Sequence, residues 1–195
     1  MENEEKLMTG EESLRIISEM INKTKTNIQQ GSFHLLFWGW LILICSLGEY
    51  FLMNFAAYAH HYNVWFLVIP GGIVSMTYGI VNGRKAIVHT YADRLYMWVW
   101  FGFLFSFFVL FIIHSKDLGT VSPYIMMLVG FATFISGFII KFKPLITGGI
   151  LFWIIAVIVS FAPASIAPLG MPLAMITGYL IPGYMLKYKV SHDAV

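Results

Sequence analysis

Six long apolar stretches alternate with short polar connections along most of the chain. Each has about 17 to 25 residues, which an α-helix needs to cross a hydrocarbon core about 30 Å thick at about 1.5 Å per residue. The pattern predicts an all-α, polytopic membrane protein with six transmembrane helices, arranged as three hairpins. The stretches cover residues 33–57, 64–81, 95–114, 124–140, 145–162 and 169–186.

Lysine and arginine divide unevenly between the seven pieces of chain that these stretches leave. Of the twelve, eleven lie in odd-numbered pieces, and only Lys116 lies in an even-numbered one. Cytoplasmic loops carry the excess of Lys and Arg in membrane proteins. We therefore expect a multi-pass protein of the inner (cytoplasmic) membrane with both termini in the cytoplasm. The cytoplasmic cations are Lys6, Arg15, Lys23, Lys25, Arg84, Lys85, Arg94, Lys141, Lys143, Lys187 and Lys189.

The first 32 residues differ from the rest in being polar, and they predict a cytoplasmic segment with one amphipathic helix. Thr9 and Glu12 have the spacing of a capping box at its start, and Gly31 is expected to end it. One face of this helix carries an apolar stripe, expected to contact lipid headgroups, the bundle or a second chain. The stripe consists of Leu14, Ile17, Ile21 and Ile28. A transmembrane domain over residues 33–187 and a cytoplasmic tail over 188–195 complete the expected organisation.

Composition supports a membrane protein and excludes several other classes. The chain of 195 residues is 58% hydrophobic and 11% charged, whereas soluble domains average about 25% charged residues. The net charge of +2 is small and spread out, so we expect no nucleic-acid partner. Cys45 is the one cysteine, which excludes an intrachain disulfide and a CxxC site. The first thirty residues lack the apolar region of a secretory signal, and no cofactor motif is present.

Small residues recur near the same depth in the second, fourth and sixth stretches. Small side chains four residues apart let helix backbones approach closely, which favours helix packing in lipid. In the expected topology these three helices run back toward the cytoplasm. The pattern predicts that they form the inner contacts of the bundle. It is typical of ordinary packing, and internal duplication is the alternative. The predicted packing positions are Gly71, Ser75, Gly79, Thr133, Gly137 and Gly178.

Glu49 is the one ionisable side chain well inside an apolar stretch, and Cys45 lies one turn away on the same helix face. A charge near the bilayer centre costs about 3 kcal/mol or more, so such a residue is a functional hypothesis by default. The pair is a candidate site for ion or proton coupling. The alternative is a structural carboxylate near the outer interface, where Glu49 is expected to lie.

Three histidines are also expected near the outer face, with Asp117 close by. They are His60, His61 and His114. Because histidine titrates near neutral pH, this outer-face cluster could sense pH or bind a metal together with Glu49. Their spacing matches no known metal motif, and interfacial histidines are common, so no metal is assigned.

Two proline-containing segments are expected to interrupt helices, at Pro70 in the second stretch and at Pro182 in the sixth. Transporters use interrupted helices to build substrate sites near the membrane midplane. Proline kinks also occur in bundles that only pack, and neither proline lies clearly at the centre of its stretch.

The chain resembles a group of small bacterial inner-membrane proteins to which no activity is assigned. The resemblance rests on residues 130–137, on Lys141–Leu145 leading into Gly148 and Gly149, and on residues 181–184. A polar N-terminal helix before Trp38-Gly39-Trp40 adds to it. The resemblance implies six transmembrane helices and supplies no catalytic residues.

Three functions are compatible with the sequence. The first is a non-enzymatic protein that acts through contacts, as a regulator, scaffold or complex subunit, with partners on the N-terminal helix. The second is a small oligomeric transporter or channel that uses Glu49 and the interrupted helices. The third, an enzyme acting on lipid, is the least supported, because zinc-protease and serine-nucleophile motifs are absent and no two carboxylates share one depth.

The expected topology can be tested with a membrane-impermeant thiol reagent on intact bacterial cells. A cysteine at position 61 should react from outside, and a cysteine at position 187 should react only after the cells are opened. Equal labelling of both positions in intact cells would contradict the six-span topology.

Overall fold

The computed structural model describes residues 10–56, 58, 60–83, 91–115, 120–163 and 165–192, and the side chains of residues 32–188 within these ranges except 82 and 83. Every regular element in this described part is helical. In chain order they are α1 (Gly10–Asn54), a 3-10 helix (His61–Leu67), α2 (Val68–Gly83), α3 (Tyr91–Ile113), α4 (Ser122–Ile139), α5 (Lys143–Ser160), a 3-10 turn (Ala167–Leu169), α6 (Gly170–Met175), a π-helical turn (Ile176–Leu180) and α7 (Ile181–His192).

Within the described residues, six helical segments are long and apolar enough to cross a membrane. This confirms the expected number of spans and is compatible with a multi-pass membrane protein. The sixth span combines the 3-10 turn, α6, the π-turn and the first part of α7. The spans are Ser32–Asn54, His61–Val81, Tyr91–Ile113, Ser122–Ile139, Lys143–Ser160 and Ala167–Tyr188.

The N-terminal segment and the first span form one helix and not two. α1 runs through Gly31 without a break and has 45 residues, which corresponds to a length of about 68 Å. The expectation that Gly31 ends the amphipathic helix is therefore wrong. A glycine inside a helix costs only about 1 kcal/mol relative to alanine, which a long helix can tolerate. Thr9, the expected N-cap, lies outside the described residues.

The sixth span lies at the centre of the bundle. In its most apolar stretch, 61% of the residues are buried. The corresponding share is 39% in the fourth and fifth spans and 28% in the first. The second and third spans are 6% and 0% buried, so they lie at the periphery. The expectation that the second span forms inner contacts is therefore wrong. Lipid is as apolar as a core, so an apolar sequence does not distinguish a central helix from a peripheral one.

A three-residue turn joins α4 to α5 and sets them side by side. The Phe142 N–H donates to the Gly137 carbonyl at 2.9 Å, and the Lys141 N–H donates to the Phe138 carbonyl at 3.2 Å. This is the bonding pattern of a Schellman motif. Lys141 takes the left-handed conformation, with a φ of 54°, at the position where glycine is usual. The buried Phe142 side chain then anchors the turn in the core.

Glycines on α5 allow its backbone to touch two neighbours directly. A Cβ atom on Gly149 would stand 2.7 Å from the Phe134 backbone nitrogen of α4. On Gly148 it would stand 2.6 Å from the carbonyl oxygen of Gly178 in the π-turn. Real Cβ atoms do not come so close to backbone atoms, so any larger residue would force the helices apart.

We expect Gly148→Ala to destabilise the protein by about 1 to 3 kcal/mol, because its methyl group would overlap a backbone atom that cannot move alone. Thermal unfolding in lipid nanodiscs would measure the loss as a lower midpoint. Gly102→Ala in α3 is the matched control, because no described atom lies within 4 Å of its Cβ position. A Gly148→Ala midpoint as high as that of the control would contradict the close contact.

Candidate functional site

Glu49, near the end of α1, is bound by two side chains of the 3-10 helix that follows it. The Trp65 indole N–H donates to Oε2 of Glu49 at 2.7 Å. Nδ1 of His61 lies 3.3 Å from Oε1. Nδ1 of His61 can donate to or accept from this carboxyl group, depending on the tautomer of the imidazole ring. We call these three residues the Glu49 clasp.

The clasp is partly open to its surroundings, since the side chains of Glu49 and His61 are 25% and 30% exposed. The 3-10 helix packs closely against α1 at Gly48. A Cβ atom on this glycine would stand 3.3 Å from Cγ1 of Val64. One turn before Glu49, the buried Cys45 thiol lies 3.6 Å from the Val64 carbonyl oxygen. Cys45 and Glu49 thus lie at one interface, as the sequence suggested, and both face the 3-10 helix.

The same interface continues along α2, which runs antiparallel to α1. A Cβ on Gly71 would overlap the Leu41 side chain, so this glycine lies at the contact. The Trp38 indole donates to the Ser75 hydroxyl at 3.1 Å. Polar contacts therefore join the second span to α1 near its start, at His61 and Trp65, and again at Ser75. Gly79 differs from the expected packing role, because no described atom lies within 4 Å of its Cβ position.

The three outer-face histidines do not converge. His61 belongs to the clasp, whereas His60 has ring contacts with Tyr58 and Tyr62. His114 packs its ring against Tyr124, with the ring centroids 5.0 Å apart. Among the described residues, no three His, Cys, Asp or Glu side chains are grouped so that they could hold a metal ion. Asp117, the expected fourth member, lies outside the described residues.

The two proline segments change the type of helix instead of breaking it. The second span begins as a 3-10 helix and becomes α-helical at Val68, so Pro70 falls in the first turn of α2. The change from 3-10 to α-helix therefore falls just before this proline. Pro182 follows the π-turn at the second position of α7 and is fully buried. Isolated π-turns frequently occur at functional sites.

A buried polar cluster between α3, α4 and the π-turn was not foreseen from the sequence. The Tyr179 hydroxyl lies beside that of Thr133 and near that of Tyr96. Ser136 is 1% exposed, and its hydroxyl has no hydrogen-bond partner among the described residues. Of these residues only Thr133 was singled out, as a packing position. Tyr179, well inside the sixth span, was the available signal, because buried Tyr hydroxyls usually need partners.

The remaining expected packing positions lie at helix contacts. A Cβ on Gly137 would stand 2.7 Å from the Ile146 backbone nitrogen, and Gly178 lies against the Phe152 ring and the Gly148 carbonyl. Thr133 is buried and donates to the Val129 carbonyl at 2.7 Å. The side chains of Leu14, Ile17, Ile21 and Ile28 belong to the part of α1 for which only the backbone is described.

Comparison with models of known families, with curated proteins and with solved structures finds no match. The resemblance to small bacterial inner-membrane proteins stays an expectation that rests on the quoted residues.

A double-mutant cycle can measure the strength of the clasp. Glu49→Gln and Trp65→Phe remove the charge and the donor of one hydrogen bond, so we expect a coupling energy of about 1 kcal/mol in thermal or denaturant unfolding. Glu49→Gln combined with Trp153→Phe is the control, because Trp153 donates to Met127 on α4. Additive effects in the first cycle would show that the clasp contributes nothing.

Proposed function

We propose that this chain is a multi-pass inner-membrane protein that acts through protein contacts, as a regulator, scaffold or complex subunit. Both termini would lie in the cytoplasm, which agrees with eleven of twelve Lys and Arg residues falling in the odd-numbered pieces. The Glu49 clasp would then lie at the outer face, and residues 10–31 of α1 would extend about 33 Å into the cytoplasm.

The observation that carries this proposal is the register of the apolar stripe on α1. Eighteen residues make about five turns of an α-helix, so positions eighteen apart lie on the same side. Eighteen residues after each stripe residue, α1 has a position that is buried inside the bundle. The pairs are Leu14 and Ser32, Ile17 and Leu35, Ile21 and Gly39, and Ile28 and Ser46.

That side of α1 packs against the end of the sixth span. A Cβ on Gly39 would lie 2.8 Å from Leu180, and one on Gly183 would lie 3.0 Å from Leu36. Both pairs belong to one antiparallel register, which places His192, the end of α7, level with about residue 27 of α1. The stripe thus prolongs an existing helix interface beyond the end of α7.

Three stripe residues, Leu14, Ile17 and Ile21, extend past α7 over about 20 Å of helix. An apolar stripe on a cytoplasmic helix needs a partner surface. A helix of another protein, or of a second copy, would fit in line with α7.

Introducing a charge into the stripe should disrupt the contact. We expect Ile21→Glu to reduce crosslinked partner capture from native membranes at least about tenfold, since burying an unpaired charge is costly. Asn22→Glu, on another side of the same helix, is the matched control and should capture normally. A differently tagged second copy in the same cells shows whether the partner is this chain. Equal capture by both variants would contradict the proposal.

Transport is the alternative, and the specific observation in its favour is the partly exposed carboxylate of Glu49 within the first span. The two hydrogen-bond partners of this carboxylate favour a structural role over a pathway. Purified protein in liposomes decides between these roles. Solute or ion flux above that of empty liposomes, with a pH dependence altered by Glu49→Gln, would support transport over contact-mediated function.

A further inference from the structure

We propose that a groove between α3 and α4 binds one acyl chain of a membrane phospholipid. The groove has a volume of about 280 Å³ and lies where α3 ends and α4 begins. The inference depends on the chain spanning a bilayer and is independent of the proposed contact function. It joins three observations: the shape of the groove, its length, and the weak attachment of α3 to the bundle.

The groove lies beside the two small residues of the apolar part of α3. Over residues 95–113 every other side chain of this helix is aromatic, aliphatic or methionine, and only Gly102 and Ser106 are small. Ser106 lines the groove together with Leu110 of α3 and Leu128 of α4, and all three are half-buried. They form a floor between walls of more exposed side chains. The walls are Phe105, Val109, Ile113, Tyr124 and Met127.

The open surface extends from the end of α3 to its middle. Gly102 is the midpoint of α3 and lies one turn from Ser106 on the same helix face. No described atom lies within 4 Å of its Cβ position. From Ile113 to Gly102 the surface therefore covers about 17 Å of helix. One leaflet supplies half of a hydrocarbon core about 30 Å thick, so this length matches an acyl chain that runs from the headgroup level to the bilayer midplane.

The volume of the groove favours a single chain over a helix. An α-helix with its side chains is about 10 Å across, so 17 Å of helix occupies more than about 1,000 Å³. The groove, at about 280 Å³, is several times too small. A methylene group takes up about as much space as a water molecule, about 30 Å³, so the groove accommodates about nine methylene groups.

The lining has the chemistry of a hydrocarbon site. Among the described lining residues, only Ser106 and Tyr124 carry a hydroxyl group, and none is charged. Tyr124 lies at the open end, where its ring packs against that of His114 with the centroids 5.0 Å apart. Aromatic rings are enriched at the headgroup level of membranes. The chain would therefore enter beside Tyr124, and the headgroup would lie next to these two rings.

A bound chain would supply contacts that α3 lacks. None of the most apolar stretch of α3 is buried. Tyr96, Trp100 and Phe103 face the bundle, and Phe103 is the last described residue of α3 that packs against the core. The half of α3 beyond Phe103 borders the groove instead. Dispersion contacts with a chain on both walls would fasten this half of α3 to α4.

A photoreactive phospholipid tests the site directly. The probe is phosphatidylglycerol with a diazirine midway along one acyl chain, as a trace component of nanodiscs that hold the full-length protein. After illumination, mass spectrometry of peptides locates the adducts. Phe66 and Ile69, similarly exposed at the start of the second span, are the reference surface at the same membrane face. We expect the groove to take at least about threefold more label than this surface, because a concave site encloses its ligand.

Two substitutions should remove this excess. Ser106→Leu fills the floor of the groove, and Gly102→Leu blocks its inner end. Gly79→Leu is the matched control, because Gly79 is also an exposed glycine with no described atom within 4 Å of its Cβ position, but lies on α2. It should leave the labelling of the groove unchanged. A cooperative thermal unfolding transition verifies that each variant is folded.

Native mass spectrometry separates a bound lipid from lipid that only passes along the surface. The wild type should keep one phospholipid per chain under activation that strips the others, and Ser106→Leu should lose it. Label in the groove without a retained lipid would show only exchanging bulk lipid and would overturn the proposal. So would labelling equal to that of the reference surface, or labelling that both groove variants leave unchanged. A lipid-free dimer that Ser106→Leu dissociates would assign the groove to a second copy and would overturn it too.

Discussion

Direct backbone contact at α5 is the constraint on which the bundle depends. Gly148 and Gly149 bring this helix against the π-turn on one side and α4 on the other, at distances that leave no space for a side chain. In lipid, helices gain little from hiding apolar surface, so close packing must supply most of their association. The short Schellman turn after α4 sets the register of these contacts, and the central sixth span then provides the surface on which α1 packs.

α1 has two different neighbours and a different kind of contact with each. Toward the sixth span it has small or apolar positions in close packing, such as Gly39 against Leu180. Toward the second span it adds hydrogen bonds from Trp38 and to Glu49. The second span is therefore the less closely packed of the two neighbours of α1 and is joined to it in part by hydrogen bonds.

The number and approximate limits of the spans could be predicted from the sequence because apolar length is a direct requirement of the bilayer. Gly31 could not be placed correctly, because the effect of a glycine on a helix depends on what anchors both sides. The peripheral position of the second span could not be predicted for another reason: an apolar helix has the same composition whether it faces protein or lipid. Glu49 was recognised as unusual from its position alone, yet its partners came from a 3-10 helix that no periodicity indicated. The cluster at Tyr179 depends on contacts between three separate helices.

The contrast between α3 and α5 has a consequence for how this sequence can diverge. α3 has no buried position in its most apolar stretch, so one bulky apolar residue can replace another there with little effect. α5 cannot exchange Gly148 or Gly149 for any other residue without moving its neighbours. Over evolutionary time the exposed positions of α3 should therefore vary more freely in sequence than Tyr96, Trp100 and Phe103, which face the bundle, while the glycines of α5 and the turn before them stay unchanged. Distant homologues should be recognisable by that short segment when the rest of the chain is no longer alignable.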